Sequence, residues 1–126
     1  MRGRQFEELS HTVIGCAIEV HRVLGPGLLE SAYERALGHE LAIAGLQSRR
    51  QNIVNVQYKG IDLETGYRID LLVENRLVLE LKTVERLLPI HSAQLLSYLR
   101  LSDFQHGLLI NFHSLPLKNG IKRLVR

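Results

Sequence analysis

The hydrophobic pattern starts at a helical period and later switches to the period of strands. Over residues 7–24, Leu9, Val13, Cys16, Ala17, Val20 and Leu24 recur at steps of three and four, which puts them on one helix face. Glu7 and Glu8 fall in the expected first turn, where negative charge suits the helix dipole. Gly25-Pro26-Gly27 ends the helix, because glycine accepts left-handed angles and proline cannot continue the ladder. A second helix is predicted over roughly residues 29–44. Its stripe is Leu29, Ala32, Tyr33, Ala36, Leu37 and Leu41, and Gly45 is its C-cap.

The period then falls to two. Val54, Val56 and Tyr58 alternate with Asn55 and Gln57, which predicts a half-buried strand, and Lys59-Gly60 is a turn signal. Tyr67 to Val73 reads as a second strand and Leu77 to Val84 as a third, joined tightly through Glu74-Asn75-Arg76. Pro89 breaks the chain before a third helix over about 91–101, with Ala93, Leu95, Leu96 and Leu99 on its buried side. Gly107 to Asn111 is a short continuous apolar strand of the kind found inside a sheet. Lys118-Asn119-Gly120 turns the chain into a last strand, Ile121 to Val125. The order α-α-β-β-β-α-β-β predicts an α/β class fold, an α+β mixed sheet flanked by helices, as one domain over residues 1–126. A crossover from the third strand through the third helix to residues 107–111 would set those two strands parallel.

Composition adds limits. A chain of 126 residues, 45% hydrophobic and 23% charged, fits one soluble domain able to bury a core without disulfides. The single cysteine, Cys16, falls on a buried stripe and fits a reducing compartment. The N-terminal MRGRQFEELS is polar, and no apolar run approaches the ~20 residues that span a bilayer. A cytoplasmic protein without membrane contact is therefore expected. The net charge of +3 rests on twelve Arg against four Lys. Arginine suits bidentate phosphate contacts, and this mild excess permits nucleic-acid binding without demonstrating it. Three Phe, four Tyr and no Trp give no evident stacking platform for single strands.

Two strands carry charge where a core strand should be apolar. Alternation puts Ile69, Leu71 and Val73 on one face of the second strand and Arg68, Asp70 and Leu72 on the other. In the third, Leu77, Leu79 and Leu81 oppose Val78, Glu80 and Lys82, so Glu80 and Lys82 are neighbours about 6–7 Å apart. With a suitable register Asp70 faces the same patch. Clustered carboxylates are costly to bury unless a cation compensates, and Mg²⁺ or Mn²⁺ prefers such oxygen ligands. A solvated sheet face carrying the same residues is the plain alternative.

Read together, the motifs carry more. The chain resembles the PD-(D/E)XK nuclease superfamily, and within it the small GxxExxY branch. The branch motif is Gly27-Leu28-Leu29-Glu30-Ser31-Ala32-Tyr33, preceded by Glu19 to Gly27 (EVHRVLGPG). The core motif is Tyr67-Arg68-Ile69-Asp70 with Glu80-Leu81-Lys82, and Gln94 to Tyr98 matches a helical Q-x-x-x-Y element. Ile121 to Val125 resembles the family's end. Ile69 stands where the pattern usually has proline.

The resemblance implies a restriction-endonuclease-like core and metal-dependent hydrolysis of nucleic-acid phosphodiesters. It implies Asp70, Glu80 and the Leu81 carbonyl as ligands of Mg²⁺ or Mn²⁺, Lys82 as the catalytic lysine, and Glu30 as a further acid. Gln94 and Tyr98, four apart on one helix face, would touch the lysine, the metal's waters or the substrate. Arg49, Arg50 and Arg68 are candidate contacts to nucleic acid, DNA before RNA, and a homodimer is compatible with this picture. The competing reading is a nucleic-acid-binding or interaction module that keeps the fold without chemistry. Glu30 also has a plain reading as a first-turn acid, Tyr33 as core and His21 as a packing residue near a helix end.

Overall fold

The computed structural model describes residues 2–126, with side chains from residue 5 onward. Helix α1 spans Arg2–Leu24 and begins earlier than its apolar stripe, so Glu7 and Glu8 lie beyond the first turn. Of that stripe, Leu9, Val13, Cys16, Ala17 and Val20 are buried, while Leu24 is exposed near the helix end. Helix α2 spans Glu30–Ile43 and buries Tyr33, Leu37 and Leu41, and Leu29 is its exposed N-cap.

Five strands follow the predicted order: β1 (Ser48–Tyr58), β2 (Ile61–Val73), β3 (Leu77–Lys82), β4 (His106–Asn111) and β5 (Ile121–Val125). Helix α3 (Pro89–Ser102) lies between β3 and β4. Pro89 opens α3 rather than standing before it, since a first-turn N–H has no intrahelical acceptor to lose. The expected Lys118-Asn119-Gly120 turn is part of a short 3₁₀ helix, Leu117–Gly120.

The sheet is mixed, in the order β1-β2-β3-β4-β5. β3 and β4 are parallel, as the crossover through α3 requires, and the other neighbours are antiparallel. The β1–β2 hairpin runs well past the core on both strands. It turns at Lys59 and Gly60, both at positive φ, the geometry that suits tight hairpins. Gly66 has no room for a side chain, because a Cβ there would run into the Val54 carbonyl.

Apolar side chains cover both sheet faces. On one, Leu71, Val73, Leu77, Leu79, Leu81, Leu108 and Ile110 meet α1 and α2. On the other, Ile69, Leu72, Val78 and Leu109 meet Leu95 and Leu99 of α3. Ala93 is exposed, off the buried side of α3 where the sequence pattern placed it. Strict alternation also fails in β2. Ile69 packs on the α3 side with Leu72, away from Leu71 and Val73. The break falls at Asp70, where the facing β1 residue, Gln51, takes a left-handed backbone (φ 55°) and interrupts the pleat.

Candidate active site

β2 and β3 are paired from Val73↔Leu77 to Leu71↔Leu79, and the ladder stops there. The next positions, Asp70 and Glu80, sit where the strands part. Asp70 fills the gap: its Oδ2 accepts a 2.8 Å hydrogen bond from the Leu81 N–H, which has lost its strand partner on that side. A side chain thus replaces the ladder and satisfies a buried donor. Asp70 and Glu80 are only 8% and 5% exposed, an unusual place for two acids.

Glu30 joins them from the first turn of α2. Both Glu30 and Glu80 come within hydrogen-bonding reach of the Asp70 carboxyl. Burial, and then the hydrogen bond and charge of Asp70, push Glu80 up to about 9 and Glu30 to about 7, while Lys82 pulls both the other way. The Lys82 ammonium donates to Gln94 Oε1 at 3.3 Å, which ties β3 to α3. One turn along α3, Tyr98 feels the charges of Glu80 and Asp70. Asp70, Glu80, Lys82, Glu30, Gln94 and Tyr98 therefore come together from β2, β3, α2 and α3.

The placement of Glu30 has a visible cause. Tyr33 is fully buried and stacks on Phe112, with ring centroids 4.5 Å apart. Its hydroxyl donates to the Gly25 carbonyl at 2.6 Å and accepts from the Leu28 N–H at 3.1 Å. Those two bonds pin the Gly25-Pro26-Gly27 loop to α2. Gly27, at φ 99°, takes a conformation that side chains resist. The Gly27–Glu30–Tyr33 spacing is thus a clamp that delivers the acid.

The arginines divide. The Arg50 guanidinium meets the buried Glu34 carboxylate at 2.9 Å, and Gln51 meets the other oxygen. Arg49 donates to Asn75, in the turn at the end of β3 away from Lys82. It lines a surface cavity of about 710 Å³ between α2 and the β2–β3 turn, and none of the clustered acids lines that cavity. Size alone would favour the cavity, whereas buried carboxylates beside a lysine mark the chemistry, so we place the site there. Arg68 is exposed, two residues from Asp70, and makes no ion pair among the described residues.

Three residues to which the sequence pattern assigned no role belong to this frame, although Tyr67 stood in the core motif. Glu34 lies one helical turn from Glu30 and engages β1 through Arg50. Asn111, fully buried at the end of β4, accepts from the Val84 N–H at 3.0 Å and donates to the Val84 carbonyl at 2.9 Å, fixing the chain as it leaves β3. An asparagine ending an apolar run was the available signal. Tyr67 stacks on Tyr98, a contact across 31 residues of sequence with no local signature. Among the described residues the histidines form no metal-holding cluster with acids or cysteine. His21 packs against Phe112, with its Nε2 buried and without a hydrogen-bond partner.

The donor set fits a hard divalent cation. Two buried carboxylates and a third beside them offer oxygen ligands, and their mutual repulsion is what a cation would relieve. Among the described residues no group of three His, Cys, Asp or Glu side chains is arranged to hold a metal ion by itself, so any such ion would need waters or other ligands beside the acids. No described helix is long and apolar enough to cross a membrane. A family model for the PD-(D/E)XK nuclease superfamily matches residues 7–124. No curated protein and no solved structure matches the chain.

Proposed function

The chain belongs to the PD-(D/E)XK nuclease superfamily, and from that premise we propose that it is a Mg²⁺- or Mn²⁺-dependent nuclease of the GxxExxY branch, hydrolysing nucleic-acid phosphodiester bonds. One observation supports this reading above the others: Glu80 and Glu30 crowd a buried Asp70 within reach of Lys82, an arrangement unfavourable without a cation.

In this reading Asp70, Glu80 and the Leu81 carbonyl hold the metal, and Glu30 supports it or its waters. The bound cation supplies Lewis-acid stabilisation of the charge that develops on the phosphoryl oxygens. Lys82, steadied by Gln94, orients the attacking water and meets negative charge on the phosphate. Arg68, exposed and without an ion pair among the described residues, is in this reading the arginine that meets the nucleic-acid backbone, DNA in the first instance. Arg50 serves Glu34, and Arg49 lies at the far turn. The domain is a single unit over residues 1–126.

The reading is tested by titrating the protein with Mn²⁺ and following binding by calorimetry. Saturable binding that Asp70→Ala abolishes is expected. Binding that is absent, or indifferent to Asp70, would favour the module that keeps the fold without chemistry.

A further inference from the structure

Tyr67 of β2 and Tyr98 of α3 stack face to face, with centroids 3.9 Å apart and planes within 5°. The Tyr67 hydroxyl donates to the Tyr98 carbonyl at 2.6 Å, so the pair is fixed at both backbone and ring. The two rings have different surroundings. Tyr67 packs on the α3-side core formed by Ile69, Leu72 and Leu95. Tyr98 lies outside that core and is half-buried, and its hydroxyl has no hydrogen-bond partner among the described residues. Anchoring α3 to the sheet falls to Tyr67, Leu95 and Leu99. The Tyr98 ring is therefore held flat and rigid beside the acid cluster without being needed to close the core.

We propose that Tyr98, backed by Tyr67, is a stacking platform for one unpaired base of the substrate, so that the preferred substrate has an unpaired nucleotide next to the bond that is cut. This rests on the nuclease reading of the neighbouring acids. A base inside a duplex has both faces covered by its neighbours, and only an unpaired, terminal or flipped base offers a face to a ring. A platform already ordered by a second ring and a hydrogen bond loses little freedom on binding. Stacking is tolerant of sequence, since every base has a π-face. The phosphate end of the same nucleotide would lie towards Asp70, Glu80 and Lys82, and the base towards Tyr98.

The test uses the full chain in EDTA, so that binding is read without cleavage. The protein has no tryptophan, so its intrinsic emission reports tyrosine directly. A short single-stranded DNA and its duplex are titrated against wild type, Tyr98→Phe and Tyr98→Leu. Wild type should bind the single strand more tightly than the duplex, with tyrosine emission quenched. Tyr98→Leu should weaken single-strand binding about ten- to a hundredfold and leave duplex binding nearly unchanged, whereas Tyr98→Phe should stay close to wild type. The proposal is overturned if wild type shows no preference for the single strand. It is also overturned if Tyr98→Leu binds like wild type, if it loses both substrates equally, or if Tyr98→Phe is as damaging as Tyr98→Leu. RNA of the same sequence, run alongside, reports the sugar preferred. A protein that prefers single strands in this assay but never cuts keeps the platform and loses the nuclease reading; one that cuts without this preference does the reverse.

Discussion

The Asp70 carboxylate accepts a hydrogen bond from the Leu81 N–H at 2.8 Å, at the point where β2 and β3 stop pairing. One side chain thus closes a backbone gap and offers its remaining lone pairs to the site. The two roles can be separated. Asp70→Asn keeps an oxygen for the Leu81 N–H and removes the charge that crowds Glu30 and Glu80. Its metal-free stability, from urea melts, is expected to match or exceed wild type, while cleavage falls by about 10²-fold or more. Asp70→Ala leaves the buried N–H without an acceptor and should be about 1–3 kcal/mol less stable than Asp70→Asn. Equal stability of the two variants would remove the structural role.

The acid cluster predicts a particular pH dependence. Glu30 and Glu80 are raised from 4.5 to about 7 and about 9. Between the ordinary and the raised values the native state holds protons that the unfolded chain has released. Metal-free stability should therefore fall as pH rises through 4.5 towards 9. Chemical denaturation in EDTA at about pH 5.5 and about pH 8.5 measures it, and Glu80→Gln should flatten the slope. Saturating Mg²⁺ should remove the loss at the higher pH, because the cation binds the ionised form.

Tyr33→Phe keeps the stack on Phe112 and removes the hydroxyl that bridges Gly25 and Leu28. A loss of about 1–2 kcal/mol in stability is expected from the two hydrogen bonds. Activity should fall further than stability implies, since the same loop sets the position of Glu30. Cleavage measured well below the melting temperature separates the two effects, and an unchanged rate there would reduce the clamp to a purely structural element.

Arg50 and Arg68 should behave in opposite ways. Arg50→Ala leaves the buried Glu34 carboxylate without its guanidinium and should destabilise the fold by about 1–3 kcal/mol. It should leave the salt dependence of nucleic-acid binding unchanged. Arg68→Ala should do the reverse, with stability kept, binding weakened and the slope of log affinity against log salt reduced by about one.

Leu24, Leu29 and Ala93, at or near helix ends, proved exposed, but the element order, the parallel β3–β4 pair and the interior of each helix stripe were legible because period and turn chemistry are local. Asp70, Glu80 and Lys82 stood out for the same reason, as charges inside apolar strands. Features that depend on contacts across the fold were not legible. The break in β2 at Asp70 needs the left-handed Gln51 opposite it, and the service of Arg50 to Glu34 needs the packing of α2 on β1. The Tyr67–Tyr98 stack joins two segments whose own patterns say nothing of each other. Counting aromatics could not show that two of the four tyrosines stack on each other beside the acids.

The most direct measurement is cleavage of labelled single-stranded DNA, duplex DNA and RNA by the purified chain in Mg²⁺, Mn²⁺ or EDTA, beside Asp70→Ala and Lys82→Ala. The account predicts cutting that requires the metal and disappears in both variants. Cutting that survives EDTA, or that either variant retains in full, would contradict it, as would folded, metal-binding protein that cuts none of the three substrates.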